Sequence, residues 1–394
     1  MSNKSEWQLI NDEEKQSQIV ARPSTTYWQD AWRMLRKNVL AMIGLFTIIL
    51  ISLGAIFLPM MSDVSYSDQS AGFGNIPPTF GITALGDDLY VYVHNEYKLI
   101  QVSENGEMIA APSPVKEDAV HAQKIYEMDG KKVVLDYSNA KRAKKNGGEK
   151  YKILVEGKEV DTAIYKKVWN KTNVLGTDSL GRDIWIRVLY GARISLLVGL
   201  VASIVNLIIG VIYGGISGYE GGKVDNIMMR IVDIISSVPS LLIVILLMVI
   251  YKPGLQTIII TIGFIYWVGM ARLVRGQVLS LKEQEFVLAA RTIGVSKFKI
   301  IMKHLIPNAM GPIIVSLTMS IPSAIFTESF LSFIGLGVAA PMASWGTLAN
   351  DALGGIRSYP YQLIVPSVAI AITMFAFNFL GDGLRDALDP RLRK

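Results

Sequence analysis

Glu328 is the residue best placed to do chemistry in this chain: it is the one carboxylate inside an otherwise apolar stretch, 20 residues into the run that begins at Ala309. A charge at that depth is costly in hydrocarbon, so an acid there is either paired or functional. By position its partners are Arg182, Arg187 or Arg193, or an amine on whatever passes through, and structural pairing is the favoured reading. Asn206, Thr373 and Asn378 also place polar groups in apolar runs, where they can line a passage or hydrogen-bond between helices. Asp233 and Arg230, at i, i+3, read as an interfacial pair. His94 and His121 lie 27 residues apart, too far and too few for a metal site, and are expected at the surface. No nucleophile–base pair or metal constellation emerges. No Gly-x4-Gly-Lys-[Ser/Thr] occurs either, so the chain brings no phosphate-cradling loop of its own.

A second group is defined by charge and periodicity. From Glu285 to Asn308 the chain reads EFVLAARTIGVSKFKIIMKHLIPN, made basic by Arg291, Lys297, Lys299 and Lys303, with His304 beside them. Phe286, Ala289, Ala290 and Ile293 recur at helical spacing. Gly294 is placed to end that helix in a left-handed conformation. Ser296 is placed to cap a second helix, with Phe298, Ile301, Met302 and Leu305 on one face and Pro307 as its stop. A connector between two spans could be far shorter, so this stretch reads as a docking surface for a soluble partner. The competing reading is a basic helical pair lying on anionic lipid.

What must position these residues is a membrane bundle. Hydrophobic residues make up 51% of the 394 and the mean hydropathy is +0.36, the composition of a polytopic membrane protein. Six stretches are long enough to span, approximately Val39–Met61, Ile194–Tyr219, Ile231–Tyr251, Leu255–Ala271, Ala309–Gly335 and Gln362–Gly381. The expected fold is therefore an all-α polytopic bundle of six transmembrane helices. The first stretch has 23 residues without a charge and follows Arg33, Arg36 and Lys37, which reads as a retained anchor. With the N-terminus in the cytoplasm, sixteen Lys/Arg lie inside against Arg182, Arg187, Arg193, Lys252 and Arg357 outside, so both termini are expected inside. Gly210, Gly214, Gly215 and Gly218 form a small-residue face for close helix approach. Pro239, Pro322 and Pro366 are expected to kink the third, fifth and sixth spans.

Between the first and second spans the apolar runs vanish. Alternating segments appear at Leu89–Val93, Lys98–Val102, Lys124–Met128, Lys132–Asp136 and Lys152–Val155. Asn105-Gly106, Asp129-Gly130 and Glu156-Gly157 lie between several of them, and such dipeptides suit type I′ hairpins. A β-rich extracellular insert of about three hairpins is expected, with Lys141–Lys145 as an exposed loop. Residues 62–172 carry 15 Lys/Arg against 16 Asp/Glu, so the net charge of +6 comes from the membrane part, as the positive-inside rule produces. Nucleic acid is accordingly not an expected partner. The absence of cysteine excludes disulfides and thiolate metal sites.

Several motifs then coincide in order. Gly176-Thr177-Asp178-Ser179-Leu180-Gly181-Arg182-Asp183 precedes Leu189-Tyr190-Gly191-Ala192-Arg193-Ile194-Ser195-Leu196. AARTIG…HLIPN follows, then Thr327-Glu328-Ser329-Phe330-Leu331-Ser332-Phe333-Ile334-Gly335-Leu336-Gly337 and Ser344-Trp345-Gly346. The tail runs Gly381-Asp382-Gly383-Leu384-Arg385-Asp386-Ala387-Leu388-Asp389-Pro390-Arg391. Over residues 30–61 and 172–394 the chain resembles the inner-membrane permeases of the dipeptide/oligopeptide (peptide/nickel) group of ABC importers, second-permease type. Leu288, His304 and Ile306 depart from the family's loop pattern, which has glutamate, isoleucine and leucine there. Apolar contact and shape are therefore expected to outweigh a salt bridge at the loop.

The resemblance implies a non-catalytic subunit in the bacterial cytoplasmic membrane. It implies a second homologous permease, two ATP-binding subunits carrying ATP and Mg, an extracytoplasmic peptide-binding protein and a peptide substrate, with lipid around the spans. The expected division of the chain is a cytoplasmic tail (1–38), a first span (39–61), the extracellular β-rich insert (62–172), a five-helix permease core (173–383) with a cytoplasmic coupling loop (276–308), and a cytoplasmic tail (384–394). Nickel import is the nearest alternative. Nickel favours imidazole ligands and no histidine falls in an expected span, so peptide is preferred. A membrane-anchored sensor and a secondary transporter are weaker readings.

Overall fold

The structure is a computed structural model that describes residues 26–389 apart from Asp87. Residues 1–25 of the N-terminal tail and 390–394 of the C-terminal tail lie outside the described residues.

Helix α1 (Tyr27–Lys37) opens with a capping box between Thr26 and Gln29. Asn38 ends it and caps the next helix, its Oδ1 accepting from the Ala41 N–H at 3.1 Å. That helix, α2 (Val39–Phe57), is the expected first span. It packs against the last helix where a side chain at Gly44 would strike the Ala376 carbonyl.

The insert follows as ten strands: β1 (Thr79–Ala84), β2 (Tyr90–Val93), β3 (Leu99–Val102), β4 (Met108–Ala110), β5 (Lys116–Asp118), β6 (Gln123–Met128), β7 (Lys131–Asp136), β8 (Lys152–Val155), β9 (Lys158–Val160) and β10 (Lys166–Trp169). They form two five-stranded antiparallel sheets, ordered β10-β1-β2-β3-β4 and β5-β6-β7-β8-β9. All five expected strands are present. Val91 and Leu99 of the first sheet, with Leu89 just before β2, share a core with Tyr126, Val133, Leu135 and Ile153 of the second. Asp129-Gly130 (φ 47° and 73°) and Glu156-Gly157 (φ 50° and 80°) both adopt the positive φ of type I′ turns. At Asn105-Gly106 only Gly106 does, at φ 91°. Expectation fails at Lys141–Lys145, which is not a loop but lies in helix α3 (Ala140–Asn146), anchored by buried Ala143. Alanine, lysine and arginine are strong helix formers, and exposure of the charges did not require loop structure.

The membrane part begins with α4 (Ile184–Glu220), capped by Asp183 and ten residues longer at its start than its apolar run. Next come α5 (Gly222–Ser237) and α6 (Ser240–Tyr251), bent by 82° at the break between them. The expected third span, Ile231–Tyr251, is thus not one continuous helix. Pro239 offers no N–H, and Val238 before it is pushed to an extended conformation (φ −87°, ψ 128°). After α7 (Leu255–Leu281) come α8 (Glu285–Thr292), α9 (Lys297–Lys299), a π-helical turn (Ile300–Leu305) and α10 (Ile306–Asn308). Then follow α11 (Met310–Leu331), a second π turn (Ser332–Leu336), the short α12 (Trp345–Asp351) and α13 (Tyr361–Leu388). Pro322 and Pro366 lie inside α11 and α13, which continue through them.

Among the described residues five helices are long and apolar enough to cross a membrane, or six if the bent pair counts as one span. The glycine face behaves as expected. A Cβ at Gly210 would come within 2.5 Å of the Met270 side chain, and one at Gly218 within 2.9 Å of the Arg275 carbonyl, so α4 and α7 pack nearly backbone to backbone.

Candidate functional site

The basic stretch after α7 is folded onto the bundle. Val287, Ala290, Ile300, Ile301, Leu305 and Ile306 share a core with Val211, Val274 and Val278 from the ends of α4 and α7. Gly294 turns the chain at φ 78°, where the Val295 N–H reaches the Ala290 carbonyl at 3.1 Å. Ser296 precedes α9 with extended backbone, but its hydroxyl makes no cap bond. Pro307 does not stop the helix. It sits in the first turn of α10, directly after the π turn, and that helix ends one residue later at Asn308.

The apolar spacing concealed which side faces inward. Val287 and Ala290 are buried, whereas Phe286, Leu288, Ala289 and Ile293 are exposed, Ile293 at 79%; Phe298 is 64% exposed. Glu285, Arg291 and Pro307 share that surface, and His304 is half-buried. Two of the cations are held by the chain itself. Lys297 Nζ donates to both Glu220 carboxylate oxygens at 2.9 Å, and the Arg291 guanidinium lies 5.1 Å from the Tyr219 ring centre.

Inside the bundle the four polar candidates do not gather at one place. Asn206 lines a cavity of about 680 Å³ with Tyr266, Met270, Ser316, Ser320 and Arg385, and its Oδ1 is buried without a hydrogen-bond partner. Glu328, Thr373 and Asn378 do not line that cavity. Thr373 is fully buried with its hydroxyl unpartnered, and Asn378 is half-buried.

Glu328 is fully buried and pairs with none of the expected arginines. Its carboxyl accepts hydroxyl hydrogen bonds from Ser195 (2.9 Å), Ser332 (2.8 Å) and Ser329 (3.3 Å). Ser329 and Ser332, at i+1 and i+4, were the local signal available. Ser195, 133 positions away, was not foreseeable. Asp233 likewise bonds Arg272 of α7 at 2.9 Å rather than Arg230, while Arg275 grips Asp225 with two bonds of 2.5 and 2.6 Å.

The arginines proposed for Glu328 have other work. Arg182 Nε and Arg187 Nη1 donate to Asp178 at 2.6 and 2.5 Å, and Asp351 of α12 completes the cluster at 3.4 and 3.5 Å. Arg193 donates to the backbone carbonyls of Ala55 and Ile56.

Beside this cluster the insert is bonded to the bundle. The Tyr361 hydroxyl lies 3.0 and 2.9 Å from the Ile76 and Thr177 carbonyls, and Gln362 Nε2 donates to Asn75 Oδ1 at 2.9 Å. His94, expected at the surface, is 2% exposed in this seam. Its Nδ1 accepts from the Glu96 N–H and its Nε2 faces the Asn75 carbonyl, each at 3.1 Å, so both bonds are met by the neutral ring protonated on Nε2. Burial pushes its pKa below the ordinary value. His121 is the exposed histidine and lies 2.8 Å from Asp118.

Apolar spans beside a cavity, with a folded loop packed on two of them, define a polytopic membrane protein. The family follows from comparison. Residues 191–394 match the binding-protein-dependent transport system inner membrane component, and residues 26–78 match the N-terminal TM domain of oligopeptide transport permease C. The chain belongs to this family of transport permeases. It is 41% identical over 391 residues to the dipeptide transport system permease protein DppC of Bacillus subtilis (strain 168), covering 99% of this chain and 94% of the relative. It is also 41% identical over 375 residues to the oligopeptide permease OppC of the same organism, covering 95% and 93%. Among solved structures, an inward-facing MetNI methionine ABC transporter aligns with a TM-score of 0.44 at 19% identity, over 52% of this chain and 96% of that one.

Proposed function

We propose that this permease moves peptides inward across the bacterial cytoplasmic membrane, with both its termini in the cytoplasm and the insert outside. In this reading it forms half of the path beside a second homologous permease. Two ATP-binding subunits carry ATP and Mg, and an extracytoplasmic peptide-binding protein delivers the substrate. The peptide assignment rests on the two relatives named for dipeptide and oligopeptide transport.

The observation that carries the coupling role is the loop: its inner face is packed on α4 and α7 while Phe286, Leu288, Ile293 and Phe298 face outward. A segment rigid towards the spans and apolar towards solvent can transmit a push from a docked ATPase. The residues assigned to it are Glu285, Phe286, Ala289, Ala290, Arg291, Gly294, Lys297, Phe298, His304 and Pro307. Asn206 is assigned to the path through its cavity. Glu328, Thr373 and Asn378 are assigned to the helix contacts around the path or its outer gate.

Purification in mild detergent tests the reading. Recovery of two ATPases and a second permease, with ATP hydrolysis stimulated by peptide-loaded binding protein, is expected. Recovery of a stable homo-oligomer alone, or loss of nickel uptake with peptide uptake intact in a deletion strain, would overturn it.

A further inference from the structure

A second cavity shares no lining residue with the one that holds Asn206. It is a groove of about 650 Å³ between α2, α4 and α13, walled by Leu50, Leu53, Phe57, Leu189 and Ile372 among others, with Thr47 its only hydroxyl-bearing side chain. Its α2 wall runs from Thr47 to Phe57, about 15 Å at helical rise and thus roughly half of a ~30 Å hydrocarbon core. The groove therefore covers the depth of one leaflet, on the side of the insert. Trp185, 40% exposed, stands at its insert-side end, where interfacial indoles collect. Gly54 leaves it open: a Cβ there would meet nothing nearer than Leu58 Cδ1 at 3.6 Å.

Arg193 lies beside the groove rather than in its lining, at the level of Ala55 and Ile56 and about 12 Å along α4 from Trp185. The helical partner of the Ala55 carbonyl would be residue 59, and Pro59 has no N–H to give. Arg193 Nε supplies that bond, and one terminal nitrogen bonds the Ile56 carbonyl at 2.6 Å. A guanidinium has five donors, so most of its hydrogen-bonding capacity remains unused, and among the described residues it forms no ion pair with a carboxylate. Its guanidinium lies 5.9 Å from the Tyr190 ring centre, and a half-buried cation without a carboxylate partner, beside the α2 wall of a one-leaflet apolar groove, is complementary in charge to a phospholipid.

We propose that this groove is a phospholipid site, with one acyl chain between α2, α4 and α13 and the phosphate on Arg193. Neighbouring segments explain the need for it. α2 is the least enclosed of the spans, with only 17% of its apolar window buried, and a bound chain fills the gap between it and the bundle.

Native mass spectrometry of the detergent-purified transporter, loaded with dioleoyl phosphatidylglycerol or with dioleoylglycerol, tests this. The wild type is expected to retain one phosphatidylglycerol and to prefer it over the phosphate-free diacylglycerol by about tenfold. Arg193→Gln should abolish the preference, and Gly54→Leu should exclude both lipids by filling the groove. Brominated-chain phosphatidylglycerol in nanodiscs provides a reading on the unaltered protein, with Trp185 and Trp345 emission quenched saturably at low lipid fraction. Equal retention of both lipids by the wild type, or quenching strictly proportional to lipid fraction, would overturn the proposal. So would loss of the lipid on assembly with a second permease, which would make the groove a protein contact.

Discussion

The two ends of the bundle differ in how completely the chain satisfies itself. At the insert end, Asp178 is met by two arginines, Tyr361 and Gln362 bond the insert, and His94 has both ring nitrogens engaged. At the loop end, Ile293 and Phe298 are 79% and 64% exposed beside lysines. Buried polar groups demand partners within the fold, whereas an apolar face left in water marks an interface still to be made. The contrast sets an insert end whose buried polar groups are mostly met within the fold, Arg187 Nε excepted, against a loop end whose exposed apolar face fits the proposed docking role.

Breaking the cluster at the insert end should cost most. Asp178→Ala leaves Arg182 and Arg187 buried beside only the half-exposed Asp351, and removing one member of such a cluster costs about 3–5 kcal/mol. A fall in thermal stability and in membrane yield is expected; a variant as stable as wild type would show the cluster to be dispensable. At the other end, Gly294→Pro forces φ from 78° to about −65°, a local cost of about 3 kcal/mol. The chain should insert normally but lose ATPase assembly and transport, and unchanged transport would remove the loop from the mechanism.

A finer test uses acid. Because the His94 pKa is lowered in the fold, the unfolded chain binds the extra proton first as pH falls. Stability of the insert–bundle joint should therefore decline as pH drops below 6.5 and level off below the folded-state pKa. The charged groups facing the ring are Glu96 and Lys98, with Tyr359 stacked on it at 5.8 Å. His94→Gln should flatten that part of the pH profile in calorimetry, and a profile identical to wild type would count against it. The smallest effect is expected for Lys297→Ala, whose pair with Glu220 is largely solvated and worth about 0–1 kcal/mol. A large loss of stability there would mean that the loop end is held by charge rather than by its apolar core.

How much of this was legible follows from sequence distance. β6, β7 and β8 could be read because their turns are local and Asp129-Gly130 and Glu156-Gly157 announce them. β1 and β10 could not, since Thr79 pairs with Trp169 and no local pattern signals a partner 90 residues away. Pro239 was visible as a kink, but an 82° break depends on packing that composition does not encode. The loop's existence, charge and Gly294 turn were readable, while its outward face was not, because Phe286 and Val287 are adjacent and either could point inward. Glu328 was found by its isolation in an apolar run. Its hydroxyl cradle was missed because a serine on another helix leaves no mark beside the acid.

The central claim is that the exposed face at Ile293 and Phe298 is where the energy-supplying subunit docks. The chain has no cysteine, so Phe298→Cys creates a single reporter, with Ile109→Cys on the insert as its exposed control. Maleimide labelling and crosslinking of the assembled transporter should show the reporter at 298 protected and crosslinked to an ATP-binding subunit, with the control labelled at its full rate. If the reporter at 298 labels as fast in the assembled complex as in the isolated permease and crosslinks to no ATP-binding subunit, the docking role of the loop is contradicted.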